Sequence, residues 1–495
     1  MAEFIRLSPD SLQQLRVVDP RMVSYNVEMT EVTGGTFWKP YSDAQVDGTE
    51  PFEPITDFAE LHKMMKWYEP IDLYDETLRN RAKELGTAWV RVSGTWATKT
   101  YYDFDGHTGG QVPEGYQNLL TIEQWIGVLD FVKAIDAKLL ISVANCAGLH
   151  SAHEPWHPEQ AKKILDFSLA YGVPIDAVEF TNEPNMMQTS GVPDGYTVEQ
   201  FGRDQDISFR FIRENYPDVL VVGPCGSGDA QVKDGKAAKG MAAMIPTPVF
   251  LEQCKEVPDV FSYHYYNGIS ERGAGAMPEQ HWSADQALSE AYLDMAAENC
   301  RVFGAMRDKY APGTPMWVTE SGDAGCGGNT WGSTFMDVFR TLNELGMFGT
   351  MTDGVIFHNT LASSDYGFLQ HGSYTPRPNY YAACLWSRLM GTTVYETGEP
   401  IREGAHVYAR SRKDSKDGAA YLIINNSETD VTSVELPKEA QRYTLSAEHL
   451  RSRVMLLNGK PLTLSDDGSL PLMEPVIEKT GVLELKPATI TFLVL

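Results

Sequence analysis

The sequence of 495 residues predicts a (β/α)8 TIM barrel followed by a smaller antiparallel β-sandwich domain. Two observations predict this architecture. Short apolar runs alternate with helical patterns eight times before about residue 365, and eight such units close into a parallel barrel. After a last helix that ends near residue 391 no helical period remains, and strand-like runs are separated by Asp, Gly, Asn and Pro turns, which is typical of a sandwich.

Eight segments have the pattern of short barrel strands. Each is rich in β-branched, aromatic or other apolar residues and is bounded by turn-forming residues. They span residues 22–29, 88–94, 138–145, 175–184, 219–226, 260–267, 315–322 and 354–364. Because helical patterns separate them, we expect parallel strands joined by crossover helices.

The segments between the strands show apolar residues at helical spacing. Thr121 and Gln124 form a capping box, which marks the start of one such helix. Similar patterns cover residues 158–171, 199–216, 283–310 and 331–345.

The change of pattern near residue 392 sets the domain boundaries. We expect a catalytic barrel over residues 21–392 and an accessory β-sandwich over residues 393–495. Residues 1–20 form an N-terminal segment that could add a strand to the sandwich. Strand-like runs of the second domain begin at His406, Ala419, Thr432, Ser452 and Gly481.

The composition excludes several classes of protein. A formal net charge of −26 argues against binding to nucleic acid or to another polyanion, which requires clustered Lys and Arg. No apolar run approaches the roughly 20 residues of a membrane helix. The six cysteines show no CxxC spacing, so neither a zinc site nor a disulfide scaffold is expected. A small-molecule substrate fits this composition better.

The N-terminal residues lack a basic segment followed by an apolar stretch. Such a segment is the mark of a secretory signal, so a cytoplasmic location is expected, and secretion stays open in case a leader has been removed. The sequence does not indicate the oligomeric state.

Two glutamates lie at the ends of predicted barrel strands, where the chemistry of such barrels is located. The fourth strand ends in TNEP with Glu183, and the seventh ends in TES with Glu320. Two carboxyl groups about 5 to 5.5 Å apart suit a retaining glycosidase, in which one attacks the anomeric carbon and the other protonates the leaving oxygen. We predict Glu183 as the general acid/base, Glu320 as the nucleophile and Asn182 as a donor to the sugar 2-hydroxyl.

Each glutamate also has a purely structural interpretation. Glu183 could be a helix-initiating acid in a loop, and Glu320 could be a solvated residue at a strand end. A Glu-Pro dipeptide alone is a weak signal. The asparagine before Glu183, the strand-end position of both glutamates and their order along the chain favour the catalytic interpretation.

Five segments carry a resemblance to a known family. They are WVRVSGTWATKTYY (89–102), VEFTNEPN (178–185), VFSYHYYNG (260–268), WVTESGDAGCGGNTW (317–331) and the DYG-containing segment 363–394. From about residue 20 to the end, the sequence resembles glycoside hydrolase family 79, the heparanase and β-glucuronidase family of the clan A retaining hydrolases. The NEP and TES elements identify only the clan, whereas the Gly-rich stretch after Glu320 and the DYG segment point to the family.

The resemblance implies roles for individual residues. Glu183 matches the family's acid/base and Glu320 its nucleophile. Tyr265 resembles the tyrosine that holds the nucleophile, since a phenol that donates to a carboxylate orients it, and a packed core aromatic is the alternative. Glu28 resembles the acidic residue that binds outer hydroxyls of the sugar, although an ordinary surface glutamate would have the same pattern.

The resemblance also implies a site for the C6 carboxylate of a glucuronic acid. The family's Gly-rich loop and the tyrosine of the DYG segment fall on Gly327, Gly328 and Tyr366. Backbone N–H groups in such a turn bind an anion without an arginine. Cys326 stands where the family usually has another glycine or an aromatic residue, which leaves the register of the loop open. Trp96 is a candidate platform for the sugar or its aglycone, with simple packing as the alternative.

Three histidines in the loop after the third strand have a spacing that could suggest a metal. His150, His153 and His157 lack supporting carboxylates on the strands, so we expect a pocket rim or a plain loop. No metal and no other cofactor is expected.

Three functions follow from these observations. The leading one is a retaining, exo-acting β-glucuronidase that takes a small glucuronide or oligosaccharide, because the acidic chain offers no evident basic groove for a long sulfated polymer. Alternatives are an endo-acting heparanase-type enzyme or a clan relative that cleaves a xyloside, galactoside or iduronide, and, from another class, a non-catalytic carbohydrate-binding protein. Because Glu183 must be protonated while Glu320 is ionised, neighbouring negative charge should raise the pKa of Glu183 and give a bell-shaped, mildly acidic pH profile.

Overall fold

The structure, a computed structural model, describes residues 4–230, 240 and 242–495. Eight parallel strands form a closed barrel, and they are called the first to the eighth barrel strand here. They span Val23–Glu28, Trp89–Ser93, Lys138–Ser142, Ala177–Glu179, Leu220–Gly226, Val260–Tyr266, Met316–Gly322 and Ile356–His358. The eighth strand pairs with the first, with Ile356 opposite Val23, and closes the ring. The predicted barrel is confirmed.

Helices cover the outside of the barrel. The helix Ile122–Ala134 begins after Thr121, whose side chain accepts a hydrogen bond from the backbone N–H of Gln124, as the capping box predicts. The other long helices are Glu76–Glu84, Glu159–Tyr171, Val198–Asn215, Met295–Tyr310, Phe335–Met351 and Pro378–Leu389. The helix expected over 283–310 starts only at Met295, because separate short turns precede it.

Shorter elements lie in the loops around the barrel. The short α-helices are Met29–Thr33, Asp43–Val46, Thr247–Leu251 and Glu290–Leu293. The 3-10 turns are Phe58–Met64, Ala97–Lys99, Pro184–Ser190, Pro278–Gln280 and Ala284–Gln286. Two strand pairs, Gly35–Trp38 with Met65–Tyr68 and Thr100–Asp103 with Asn118–Thr121, complete the set.

Two barrel strands are much shorter than the sequence predicts, at three residues each. The fourth ends at Glu179 and the eighth at His358. Beyond these points the backbone leaves the extended conformation, since Glu183 has a φ of 45°. Polar side chains that follow the two strands therefore project from loops at the carboxyl end of the barrel.

Two β-sheets form the C-terminal domain. The larger sheet has nine strands, Gln13–Val17, Met390–Glu396, His406–Arg412, Ala419–Asn425, Thr489–Val494, Ala440–Ala447, Met455–Leu457, Lys460–Pro461 and Val476–Glu478. The smaller sheet has three strands, Ile5–Arg6, Thr432–Leu436 and Gly481–Leu485. All pairs are antiparallel except the one between Ile5–Arg6 and Thr432–Leu436. Buried residues such as Val407, Ile423 and Leu485 fill the space between the sheets.

The barrel interior changes from apolar to charged along its axis. An apolar cluster that includes Trp89, Val260 and Trp317 fills one end. Arg91 follows Trp89 by two residues, so its side chain points to the same inner side of the strand. The described helices include none that is long and apolar enough to cross a membrane.

Candidate active site

A pocket of about 610 Å³ opens at the carboxyl ends of the barrel strands. This is the end at which barrels of this type place their chemistry. Of the predicted site residues, the pocket is lined by Glu28, Trp96, Asn182, Glu183, Glu320, Cys326 and Tyr366. His264, Tyr266 and Asn359, which the sequence analysis did not select, line it as well.

The two predicted glutamates meet in this pocket around one histidine. His264 Nδ1 lies 3.0 Å from Glu183 Oε1 and 3.7 Å from Glu320 Oε2. One carboxylate oxygen of each glutamate and one nitrogen of His264 all lie within 4.8 Å of one another. The fourth and seventh strands therefore bring two carboxyl groups close enough to act on one bond.

Arg91 supplies positive charge beneath the pair. Its buried guanidinium donates from Nη1 to Glu320 Oε2 over 3.1 Å and from Nη2 to Asn182 Oδ1 over 2.8 Å. Nε bonds to both oxygens of the buried Glu179 at 3.1 and 3.0 Å. The sequence alone could have pointed to Arg91, because a charged residue is unusual in a buried barrel strand such as WVRVS.

The Arg91 contact also fixes the protonation of His264. His264 Nε2 lies 3.2 Å from Arg91 Nη2, and arginine has only donors, so Nε2 accepts. Burial lowers the pKa of His264 to about 4, so the ring is neutral near pH 7 and carries its hydrogen on Nδ1. That hydrogen is donated to Glu183 Oε1 and orients the carboxyl group.

The prediction for Tyr265 is wrong by one residue. Tyr266 donates a hydrogen bond from its phenol to Glu320 Oε1 over 2.5 Å. Tyr265 is fully buried, donates to Asn267 Oδ1 and packs against Phe348 of a covering helix. Successive side chains of a strand point to opposite faces, so only one of two adjacent tyrosines can reach the pocket.

Asn359 joins the two tyrosines of the pocket. Its Nδ2 donates to the hydroxyl of Tyr266 and to the hydroxyl of Tyr366, each over 3.0 Å. It also lies 3.5 Å from Glu320 Oε1. Asn359 directly follows the eighth strand, which ends at His358. Its position in the pocket could not be predicted without knowing where that strand ends.

Burial raises the pKa of Glu183, and the hydrogen bond from Ser227 and the charge of Arg91 lower it by smaller amounts. A raised pKa agrees with a general acid at Glu183. The sequence analysis expected a neighbouring negative charge to raise this pKa, whereas the cause is burial.

The pKa of Glu28 is raised well above its ordinary range, first by burial and then by the charge of Glu320. Glu28 is only 5% exposed, which excludes the surface-glutamate alternative.

The Gly-rich loop departs from the predicted carboxylate site. Gly325 and Cys326 line the pocket, whereas Gly327 and Gly328 are not among the lining residues. The Gly328 N–H donates to the backbone oxygen of Ala324 over 3.1 Å and is not available to a ligand. The ring of Trp38 covers Gly327, where an added Cβ would lie 2.5 Å from the ring. The prediction for Gly328 is therefore wrong.

Arg272 holds this loop from behind. Its Nη1 donates to the backbone oxygens of Cys326 and Gly328 at 3.1 and 2.8 Å, and its Nη2 donates to Asp365 Oδ2 at 2.8 Å. Positive φ values of 63° at Cys326 and 87° at Gly327 let the chain turn there. The carbonyls of the loop are thus drawn away from the pocket.

Trp96 lies at the pocket wall beneath a lysine. The Lys99 ammonium sits 4.3 Å from the centre of the Trp96 ring and donates to the Thr189 backbone oxygen over 3.0 Å. Burial lowers the pKa of Lys99 to about 8. Both side chains line the pocket.

Two groups in the described residues have ligand atoms close enough for a metal ion. One group is Glu183, His264 and Glu320, and there the Arg91 guanidinium already lies beside Glu320. The other group is a loop cluster of Asp103, Asp105 and His107. The three histidines with suggestive spacing form no such group. His150 is buried and bonds through Nε2 to Asn145 Oδ1 at 2.8 Å, while His153 and His157 are exposed.

A closed parallel barrel with two facing glutamates at its carboxyl end is the architecture of a glycoside hydrolase. The family model of the glycosyl hydrolase family 79 N-terminal domain matches residues 68–346, and the chain belongs to this family. It is 26% identical over 484 residues to heparanase-like protein 1 of Arabidopsis thaliana, covering 86% of this chain and 85% of the relative. It is 24% identical over 466 residues to baicalin-β-D-glucuronidase of Scutellaria baicalensis, covering 86% and 83%.

The fold is shared with solved glycosidase structures. A 4-O-α-L-rhamnosyl-β-D-glucuronidase from Fusarium oxysporum superposes with a TM-score of 0.64 over 99% of this chain and 100% of that chain, at 12% identity. At that identity the likeness concerns the fold alone. The chain is a family 79 glycoside hydrolase by its family match, and its fold is that of solved glycosidases.

Proposed function

We propose that the protein is a retaining, exo-acting β-glucuronidase that hydrolyses terminal β-D-glucuronides through a covalent glycosyl-enzyme intermediate. The observation that carries the proposal is the close approach of Glu183 and Glu320, whose nearest ligand oxygens lie within 4.8 Å. Retaining enzymes hold their carboxyl groups about 5 to 5.5 Å apart, whereas inverting enzymes leave roughly 6.5 to 9.5 Å for a water.

In this mechanism Glu320 attacks the anomeric carbon while Glu183 gives its proton to the leaving oxygen. Tyr266 and Arg91 each hold one oxygen of Glu320, which fixes the direction of attack. Glu183, now a base, removes a proton from water, and the resulting hydroxide displaces Glu320 from the sugar. The barrel thus supplies both the nucleophile and a single group that acts as acid and then as base.

Tyr366 supports a uronate as the sugar. Its hydroxyl accepts from Asn359, so its own hydrogen is free to donate toward the pocket. Glu28 supports the same sugar, because burial and the charge of Glu320 raise its pKa and so favour the neutral carboxyl group. A neutral Glu28 donates to a sugar hydroxyl without repelling the substrate carboxylate.

A small aglycone is favoured over a long chain. The net charge of −26 would repel a sulfated polymer, and the baicalin-cleaving relative is named for a small glucuronide. An endo-acting enzyme is the second candidate, since the pocket also exposes Lys99 beside Trp96, where an anionic group of a longer substrate could bind.

The test is hydrolysis of p-nitrophenyl β-glucuronide, β-glucoside, β-galactoside and β-xyloside, with Glu320→Gln alongside. We expect turnover of the glucuronide and none by the variant, which should still bind it. Faster turnover of another glycoside than of the glucuronide would leave the two glutamate roles standing and overturn the uronate. Binding by the wild type without turnover of any substrate, including oligosaccharides, would indicate a carbohydrate-binding protein.

A further inference from the structure

A second cavity, of about 180 Å³, lies at the opposite end of the barrel from the active site. Its wall includes the segment before the first barrel strand, the segment before the second, and the end of the helix Pro378–Leu389. Strand His406–Arg412 of the sandwich provides the facing wall through Arg410. The cavity therefore lies where the two domains pack together.

Arg410 is a buried cation without a carboxylate. It is 1% exposed, and three other arginines of the described residues are as deeply buried, at 0 to 2%. Each of those contacts a carboxylate: Arg91 at 3.0 Å, Arg272 at 2.8 Å and Arg340 at 2.6 Å. No carboxylate of the described residues forms an ion pair with Arg410, and none is among the groups that shift its pKa. A buried charge without a counter-ion is costly, so Arg410 differs from these three arginines.

The neighbours of Arg410 position the guanidinium without neutralising it. Nη2 lies 3.3 Å from Met22 Sδ and 3.5 Å from the Leu345 backbone oxygen, both weak contacts. The group lies 5.2 Å from the centre of the Trp386 ring. Gly349 makes room for it, since an added Cβ there would lie 2.0 Å from Nη2.

The other charged groups around the cavity leave an excess of positive charge. Lys413 and Asp19 also line it, and Asp19 Oδ1 accepts from the Arg21 backbone N–H over 2.7 Å. Arg16 lies close enough to lower the pKa of Arg410, which burial and this repulsion bring to about 9. Arg410 therefore remains protonated at neutral pH in a cavity with two cations and one acid.

We propose that this cavity binds a small inorganic oxyanion of the sulfate or phosphate class, held by Arg410 and Lys413. The planar guanidinium presents paired donors that match two oxygens of such an ion. A cavity of about 180 Å³ has room for it and for several waters, since one water needs only about 10 to 15 Å³. The bound ion would supply the missing counter-charge and join the barrel to the sandwich.

The test is thermal unfolding of the full chain in up to about 10 mM sodium sulfate, against sodium chloride at equal ionic strength. We expect sulfate to raise the apparent Tm by about 1 to 3 °C. Arg410→Met should lose this sulfate-specific rise. Arg412→Met is the matched control, because Arg412 lies on the same strand but pairs with Asp414, and it should keep the rise.

Isothermal titration with sulfate should give one saturable site in the wild type and none in Arg410→Met. An equal sulfate response in the wild type and Arg410→Met, or no response in either, would overturn the proposal and indicate a water-filled cavity. If Arg410→Met does not fold, the exposed Lys413 provides the second variant. Lys413→Met should need several-fold more sulfate for the same shift, and an unchanged response would equally overturn the site.

Discussion

The Tyr266 phenol donates a 2.5 Å hydrogen bond to Oε1 of Glu320, while Tyr265, one residue earlier, points out of the barrel. The hydrogen bond holds the carboxylate in one orientation and stabilises its charge. Arg91 holds the other oxygen from below. The carboxylate of Glu320, the proposed nucleophile, is therefore fixed from two sides before any substrate enters.

The two adjacent tyrosines form a matched pair for mutation. Tyr266→Phe should lower kcat by about 10²-fold, the usual cost of removing one positioned donor. Tyr265→Phe should leave kcat within about twofold but reduce the free energy of unfolding by about 1 to 3 kcal/mol, because Asn267 loses its buried donor. Hydrolysis kinetics and urea unfolding of both variants check this, and a reversed pattern would restore Tyr265 as the orienting residue.

The pH profile should report the proton on Glu183. Burial raises the pKa of Glu183, so the group keeps its proton to higher pH and activity falls on the alkaline side when that proton is lost. We expect a bell-shaped dependence of kcat/KM for the wild type. Glu183→Gln, assayed with an aryl glucuronide whose leaving group needs no proton, should lose the alkaline limb. A flat wild-type profile between about pH 4 and pH 8 would be incompatible with this assignment.

Recognition of the uronate should depend on the Tyr366 hydroxyl. Tyr366→Phe removes a donor that faces the pocket while it keeps the ring. We expect kcat/KM for the glucuronide to fall about 10- to 100-fold, as for a hydrogen bond to a charged group worth about 1.5 to 3 kcal/mol. Residual activity on the matching glucoside serves as the control and should change little. Equal losses on both substrates would mean that Tyr366 acts on the nucleophile through Asn359 instead.

Stability should decline as the pH rises from the acidic range toward 8. Burial raises the pKa of Asp323 to about 8, well above its value in an unfolded chain. Between the two values the folded state binds the extra proton, so its contribution is present at low pH and lost as the pH rises toward 8. Asp323→Asn should flatten the dependence of Tm on pH, each such group contributing at most about 1.4 kcal/mol per pH unit. Asp308→Asn, an exposed control, should leave the slope unchanged.

The barrel and the position of the two glutamates at one end of it could be predicted because their signals are local. Apolar runs and capping residues lie in short windows, and Glu183 and Glu320 follow such runs directly. The sandwich could be predicted only in part. Its strand Ala440–Ala447 mixes charged and apolar residues without a clean alternation and pairs with strands distant in sequence.

The surroundings of the pair depend on contacts that sequence does not display. Alternation along the sixth strand lets only one of the two adjacent tyrosines face the pocket, and Tyr266 meets Glu320 after a register shift in which Thr319 of the seventh strand has no partner. The conformation of the Gly-rich loop is decided by Arg272, which lies more than 50 residues earlier and binds two of its carbonyls. Neither relationship has a signature in one short segment.

The most direct test of the mechanism is to trap the covalent intermediate. A 2-deoxy-2-fluoro-β-glucuronide with an activated leaving group should inactivate the enzyme, since the fluorine slows both steps and the good leaving group permits the first. Peptide mass spectrometry should then locate the added sugar on Glu320. Label on another residue, or turnover with inversion at the anomeric carbon, would contradict the assignment of Glu320 as nucleophile.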